Sequence, residues 1–242
     1  MTAPITTRPD TAPPQAPKKK WYRRPWIVPL IAVAVLFVLA RLPAYLSFDT
    51  SNALLPLQEG YPQLHFALLT GHILFGSIAL ICCSLQVWTW LRLKHPRFHR
   101  ISGRLYVFAG VLPSGILAGV VSAIAVMDPA GRIGNLFLTV LWLGTTFLGI
   151  RAAIRKDFLR HRRWMIRSFA LCFSIVANRV WIGILLLCLL PFQDSYYGGD
   201  FEALTEDVAV ASIWVGWIVN LLIAQWWLDR KPKRRARPAV AA

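Results

Sequence analysis

Arg179 is the residue of this sequence whose chemistry fits its surroundings least. It follows Asn178 inside an apolar run that begins near Trp164 and continues to Leu190. At ~1.5 Å rise per residue, Arg179 is roughly 22 Å from Trp164, near or somewhat beyond the middle of a bilayer core about 30 Å thick. An arginine there costs at least about 2.5–3.5 kcal/mol on insertion scales. Because no Asp or Glu lies inside any apolar segment, the sequence predicts either an anionic ligand or water-filled cavity beside Arg179, or bonds to carbonyls freed by a broken helix or by Pro113.

Two helical stripes of polar residues indicate which helices line such a cavity. In the fifth apolar segment, Arg179 falls within about 20° of one line with His161, Ser168 and Cys172. A stripe of this kind facing lipid is penalised, so we expect it to face the bundle interior. The second segment has a comparable stripe through His65, His72, Gly76, Cys83 and Trp90, with Gln86 about 60° away. If the second and fifth helices face each other, His72 and Arg179 line one cavity that opens outward.

The ligand-binding hypothesis assigns four contacts to an anionic, lipidic or quinone-like molecule: His72, Gln86, Asn178 and Arg179. A purely structural explanation also exists, since His72 can bond a neighbouring backbone and the amide side chains can form interhelical hydrogen bonds. No catalytic residue can be assigned, because the sequence has no P-loop, GxSxG, HExxH or Rossmann glycine pattern and no paired intramembrane carboxylates. Whether the protein is an enzyme stays open.

A second set of candidates lies around two basic connections, residues 92–104 and 155–163: His99, Arg100, Arg104, His161, Arg162 and Arg167. These imidazoles and guanidinium groups can bind lipid phosphate, haem propionates or another anion, or can lock the connections to helix C-terminal carbonyls and anionic headgroups. One b-type haem on His99 and His161 is the redox alternative, whereas His65 and His72, about 10 Å apart, are too close for a two-haem wire. The surrounding positive charge disfavours a metal cation, so we predict no metal site.

Composition decides the class of protein. The chain of 242 residues is 56% hydrophobic and 16% charged, with a mean hydropathy of +0.50. These values exclude a disordered chain and an ordinary soluble protein. A net charge of +16 on a soluble domain would suggest nucleic acid. Here the basic residues cluster at the ends of apolar segments, which indicates anionic lipid headgroups as partners and no nucleic acid.

Six apolar segments predict an all-α bundle that crosses the membrane six times. The predicted spans are residues 27–46, 65–91, 105–127, 133–154, 164–190 and 208–228, which form one domain over 27–228. Residues 1–26 are predicted to be a disordered basic tail and residues 229–242 a second basic tail. Of the 27 Lys and Arg, all but Arg41, Arg132 and Arg179 lie in the tails, in the two basic connections or at helix ends that border them. This asymmetry predicts that both termini are cytoplasmic.

Three segments carry a resemblance to a known family: HILFGSIALICCSLQ (72–86), HRISGRLY (99–106) and HRRWMIRSFAL (161–171). Together they resemble an uncharacterised bacterial family of six-span membrane proteins that carry a domain of unknown function, over about residues 65–228. The resemblance implies an inner-membrane location, but it does not indicate any particular activity. It implies as family positions His72, Gln86, His99, Arg100, Gly103, Arg104, Tyr106, His161, Arg162, Trp164, Arg167 and Arg179.

Three functional hypotheses follow. The first is a ligand-binding membrane protein with a positively charged interior. The second is a b-type haem redox protein. The third is a non-catalytic scaffold or assembly factor whose polar residues only specify packing.

Overall fold

The computed structural model describes residues 26–230, and all regular structure in that range is helical. Six segments are long and apolar enough to cross a membrane: Ile27–Leu46, Pro62–Gln86, Pro96–Ile124, Pro129–Ile154, Ser174–Tyr197 and Phe201–Asp229. The predicted all-α, six-helix membrane bundle is therefore confirmed. Apart from their innermost residues, the predicted tails 1–26 and 229–242 lie outside the described part of the chain.

The first basic connection is helical, which the sequence analysis did not expect. Helix α1 (Ile27–Leu46) and helix α2 (Pro62–Gln86) are followed by a short helix α3 (Thr89–Lys94) and by helix α4 (Pro96–Arg104), which continues without interruption into the third span. Pro96 occupies the first turn of α4, where its missing N–H costs nothing and its fixed φ favours the helix. The third span therefore begins nine residues before the predicted bound at residue 105.

A π-helix from Leu105 to Val111 joins α4 to helix α5 (Leu112–Ile124). Within it, the backbone N–H of Leu112 donates to the carbonyl of Val107, five residues earlier. The wider turn ends just before Pro113, whose ring would clash with the preceding turn of a regular α-helix. The span thus accommodates Pro113 by a local change of helix type.

The fifth span is divided into two helices. Helix α6 (Pro129–Ile154) leads into helix α7 (Phe158–Cys172), and helix α8 (Ser174–Leu189) starts after the single residue Phe173. The Ser174 hydroxyl donates to the carbonyl of Leu171 at 2.5 Å, an alternative to the regular helical bond. A 3-10 turn (Leu190–Phe192) and the short helix α9 (Gln193–Tyr197) then lead to helix α10 (Phe201–Asp229).

The helices pack unevenly. Helix α6 packs on α5, α7 and α10, and α2 packs on α1 and on the π-helix and α5. Helix α8 packs mainly on α10, and α1 packs on α2, but α1 and α8 have no substantial interface with each other in the described structure. We call the end of the bundle that carries α3, α4 and the α6–α7 turn the basic end. The opposite end, which carries the α8–α10 connection, is the acidic end.

Candidate functional site

Arg179 lies on α8 and is exposed, so the expectation that it faces the bundle interior is wrong. Its electrostatic neighbours are Arg41 and Tyr45 of α1. Neither Arg41 nor Arg179 makes an ion pair with another described residue, and no side chain or carbonyl of the described chain accepts a hydrogen bond from either guanidinium. Arg179 therefore lies beside α1 without a partner among the described residues, and we call the space between α1 and α8, which share no substantial interface, the opening between α1 and α8.

The contacts of Asn178 fix the level of Arg179 in the bundle. Asn178 donates to the Ser212 hydroxyl of α10 at 2.7 Å. Two residues further along α10, the Trp214 indole N–H donates to the carbonyl of Ala130 at 3.1 Å, at the first turn of α6. Asn178 and Arg179 are thus near the level of the first turn of α6 and of the middle of α10. The interhelical hydrogen bond, which was the structural alternative for Asn178, is present.

His72 lies on α2 against α5, away from Arg179. Its Nδ1 lies 3.0 Å from the carbonyl of Ser114, and since a carbonyl can only accept, Nδ1 carries the proton. The Ser114 hydroxyl donates back to the carbonyl of His72 at 3.1 Å. This reciprocal pair leaves Nε2 without a hydrogen-bond partner in the described structure and ties α2 to α5. The bond to a neighbouring backbone, which was the alternative to a ligand role, is therefore present.

Gln86 fixes the basic end of α2 to α4. Its amide nitrogen donates to the carbonyl of His99 at 2.9 Å and to the hydroxyl of Ser102 at 2.7 Å. Gly103 lies against the Gln86 amide, where an added Cβ would be 3.5 Å from its oxygen. The structure thus gives His72, Gln86 and Asn178 separate partners and does not bring these three residues and Arg179 together around one cavity.

A buried polar network occupies the space between the π-helix, α6 and α7. The Tyr106 hydroxyl lies 2.6 Å from the Ser168 hydroxyl, which in turn lies 2.7 Å from the hydroxyl of Thr146. The Trp142 indole N–H donates to the Tyr106 oxygen at 3.1 Å. Sequence analysis missed the role of Tyr106, although the aromatic hydroxyl and the helix positions of Ser168 and Thr146 are all visible in the sequence. Because its members satisfy one another, the network holds the helices together and leaves no group free for a ligand.

Two cysteines of the predicted stripes lie beside this network. The Cys83 sulfur of α2 is 3.7 Å from the Cys172 sulfur of α7, and both side chains are buried. Helix α2 and helix α7, which is the first half of the predicted fifth span, therefore face each other at the level of Cys83 and Cys172. They do not do so at Arg179, because the chain breaks at Phe173 and α8 continues along α10.

His99 and His161 meet at the basic end. His161 Nδ1 lies 2.9 Å from the carbonyl of Gly149, so it carries the proton and leaves the Nε2 lone pair available. His161 is close enough to influence His99 electrostatically, and His99 Nδ1 is buried without a hydrogen-bond partner. Arg100 and Arg104 are exposed nearby on α4.

The other arginines of this predicted cluster contact α10 instead. Arg167 donates to the Gln225 side-chain oxygen at 2.7 Å and stacks over Trp164, with 4.8 Å from the guanidinium carbon to the ring centroid. Arg162 stacks over Trp227 at 5.0 Å. The predicted six-residue cluster is therefore divided between two contacts, one around His99 and His161 and one on α10.

One cavity of about 360 Å³ lies at the acidic end, between the end of α1 and α2. Its lining is mainly apolar, and it includes Phe66, Gly71 and Thr70, whose hydroxyl is buried without a hydrogen-bond partner. The loop beside it is held by Asp49, whose carboxylate accepts the Ser51 backbone N–H at 2.9 Å. This hydrogen bond lowers the pKa of Asp49.

Comparison with known proteins gives a family and no activity. The profile of a family described as "Predicted membrane protein (DUF2306)" matches residues 69–228, about two thirds of the chain. No curated protein and no solved structure shows a significant match. The expected family of membrane proteins with a domain of unknown function is thereby confirmed, while its bacterial origin and the role of the three segments that carry the resemblance stay predictions. The six apolar helices and the matching profile together show that this multi-pass membrane protein belongs to the DUF2306 family.

Proposed function

We propose that the protein binds an anionic amphiphile, a molecule with a phosphate or carboxylate head and an apolar body, in the lateral opening between α1 and α8. The observation that carries this proposal is the pair Arg41 and Arg179, two guanidinium groups on apolar helices with no acidic partner among the described residues. Each costs about 2.5–3.5 kcal/mol at the centre of a bilayer and less towards its surface. Two like charges facing one opening add mutual repulsion.

An anion between the two guanidinium groups relieves both costs. Arginine presents a planar fork that matches carboxylate and phosphate oxygens, and such charge-assisted hydrogen bonds are about twice as strong as neutral ones. The described residues offer no competing acceptor there, because Tyr45 is only 2% exposed and no acid lies on α1 or α8. The anion therefore has to come from outside the described chain.

Exposed apolar side chains on α1 and α8 suit contact with acyl chains. Leu36 and Leu39 of α1 are 64% and 62% exposed, and Val180 and Leu187 of α8 are 61% and 73% exposed. At about 100° per residue, Leu36 and Leu39 lie on the side of α1 away from Arg41, so they face the surrounding bilayer and not the opening itself. A lipid or an amphiphile of similar size can therefore lie against these helices and place its head at the arginines.

Native mass spectrometry of the detergent-purified protein tests the proposal. We expect the wild type to retain an acidic amphiphile and Arg41→Gln and Arg179→Gln to lose it, since a hydrogen bond to a charged group is worth about 1.5–3 kcal/mol, or about 10- to 150-fold in affinity. Arg132→Gln is the matched control, because the Arg132 Nε–H already donates to the carbonyl of Met127 at 3.1 Å. A wild type that retains no acidic molecule, or an Arg179→Gln variant that retains it equally, overturns the proposal and favours the scaffold hypothesis.

The b-type haem hypothesis keeps one supporting observation, the orientation of His161. A haem-ligating histidine typically donates its Nδ1–H to a carbonyl and presents Nε2 to the iron, and His161 has this arrangement through Gly149. His99 lacks the corresponding carbonyl, since its Nδ1 has no partner. An absorption spectrum of the purified protein decides the question: a Soret band that His161→Ala abolishes supports haem, and its absence from protein expressed with haem supplementation excludes it.

We also propose the orientation in the membrane, with the basic end in the cytoplasm and both termini on that side of a bacterial inner membrane. It is supported by Arg155, Arg160 and Arg163 in the α6–α7 region and by the acids Asp194, Asp200 and Glu202 at the opposite end. A reporter that is active only in the cytoplasm, fused after residue 242, should be active. Loss of its activity, with activity of a periplasmic reporter at the same position, would reverse the orientation.

A further inference from the structure

The turn between α6 and α7 encloses a cavity of about 290 Å³ at the basic end, far from Arg41 and Arg179. Its floor is apolar and consists of Leu148, Ala152 and Trp164. Its rim is charged and consists of Arg151, Arg155, Asp157 and Arg160. Such a combination of an apolar floor and a cationic rim has the chemistry of a phospholipid site.

The backbone of the turn is closed by a defined set of hydrogen bonds. The Asp157 N–H donates to the carbonyl of Ala152 and the Lys156 N–H donates to the carbonyl of Ala153, both at 2.9 Å. This pattern is the Schellman motif, and Lys156 adopts the left-handed conformation that it requires, with φ of 59°. The turn therefore holds the two helix ends, and the arginines on them, at a fixed separation.

The rim has an excess of positive charge. Arg151 in the last turn of α6 and Arg155 directly after the helix are four residues apart and thus lie on the same side, and neither forms an ion pair with another described residue. Asp157 is already engaged, because its carboxylate accepts the Arg160 backbone N–H at 3.0 Å and lies 3.6 Å from the Arg160 Nε. Three guanidinium groups against one committed carboxylate leave a net charge of +2 for a guest anion.

The apolar side chains beside the rim favour a lipid as the guest. Ile154, Phe158 and Leu159 are 76%, 67% and 80% exposed at the same turn. Side chains of this size are stable in acyl chains and costly in water, by about 25 cal/mol per Å² of apolar surface. The turn is therefore immersed at the boundary between acyl chains and headgroups, where cationic side chains meet lipid phosphates.

We infer that the α6–α7 turn binds an anionic phospholipid, with its phosphate between Arg151, Arg155 and Arg160 and its acyl chains along Leu148 and Trp164. This site is separate from the opening between α1 and α8, and it does not depend on the function proposed for that opening. The three guanidinium groups match phosphate in charge, and Arg160 stays available because Asp157 reaches only its Nε.

Titration of the full-length protein with phosphatidylglycerol and phosphatidylcholine, followed by native mass spectrometry, tests the inference. We expect phosphatidylglycerol to be retained preferentially. A cationic side chain near an anionic surface contributes about 1 kcal/mol, or about fivefold, so the double variant Arg151→Gln/Arg155→Gln should weaken retention about 25-fold. Arg151→Lys/Arg155→Lys, which keeps the charge, should retain most of it.

Lys94→Gln/Arg97→Gln is the matched control, since it removes two exposed positive charges from the same end of the bundle. It should leave retention close to that of the wild type. Equal losses in both double variants would show only a general electrostatic effect and would overturn the inference, as would equal retention of phosphatidylglycerol and phosphatidylcholine by the wild type. Displacement of the lipid by millimolar inorganic phosphate would assign the site to free phosphate and overturn the lipid assignment. Because Arg41 and Arg179 are intact in these variants, the outcome is independent of the test of the other opening.

Discussion

Gly110→Ala tests a close backbone approach between α2 and the π-helix. Gly110 lies in the π-helix against α2, and a Cβ built on it would be 2.9 Å from both the Cα and the Cβ of Ala79 and 3.1 Å from its nitrogen. Carbon atoms pack best at about 3.5–4.0 Å, so the π-helix and α2 have to separate by about 0.6–1 Å. Forcing a methyl group into a packed interface typically costs about 1–3 kcal/mol. Two of the three obstructing atoms are backbone atoms, which cannot rotate away.

The assay is thermal unfolding of detergent-purified protein. A loss of 1 kcal/mol shifts Tm by about 2–4 °C in a chain of this size, so Gly110→Ala should lower Tm by about 2–12 °C. Gly144→Ala is the matched control, since nothing lies within 4 Å of its added Cβ and alanine is the better helix former. If Gly110→Ala unfolds at the same temperature as Gly144→Ala or above it, the backbone contact between α2 and the π-helix does not exist and the helix arrangement around it is wrong.

Three further predictions concern buried polar groups. Tyr106→Phe leaves the Trp142 indole N–H without an acceptor, so it should destabilise the protein by about 1–3 kcal/mol. This loss should be measured as a lower Tm, and an unchanged Tm would contradict the network. Copper phenanthroline should join Cys83 and Cys172 in a disulfide, detected by non-reducing peptide mapping, because their sulfurs are 3.7 Å apart; Cys83→Ser should abolish this product, and its persistence would refute the proximity. Thr70→Val replaces a buried hydroxyl that has no partner and should raise stability by about 1 kcal/mol; a lower Tm would mean that the hydroxyl is satisfied by a guest in the cavity that it lines.

Hydropathy was sufficient to predict the number of helices and their class, because each span has to satisfy its own backbone in the bilayer. Hydropathy was not sufficient to locate the ends of the spans, because the residues there are amphipathic. The segment from Pro96 to Arg104 is basic and was assigned to a connection, yet it forms a helix because Pro96 starts it and Gln86 holds it by the carbonyl of His99. That hydrogen bond joins residues 13 positions apart, so no local sequence pattern could have predicted it.

The position of Arg179 could not be predicted from helical periodicity for a physical reason. Periodicity assumes one continuous helix from His161 to Arg179, and Phe173 interrupts it. No proline or glycine marks this break, and the hydroxyl of Ser174 that bonds the carbonyl of Leu171 is a common residue in helices. The first half of the stripe, through Ser168 and Cys172, faces the interior as expected, and only the part beyond the break turns outward.

The neutral polar side chains of the spans have hydrogen-bond partners on other helices, whereas two arginines have none. This difference supports a ligand that comes from the lipid bilayer. The neutral polar side chains His72, Gln86 and Asn178 each have a partner on another helix, which is what packing alone requires. If Arg41 and Arg179 served packing alone, an acid or a row of carbonyls would be expected beside them, since an unpaired intramembrane charge is costly. Neither is present in the described structure, although the same chain pairs Arg163 with Asp229 and Arg160 with Asp157 where water could screen the charges. The charges that most need a partner are thus the ones without one among residues 26–230, and the anion that we propose from the membrane would resolve this imbalance.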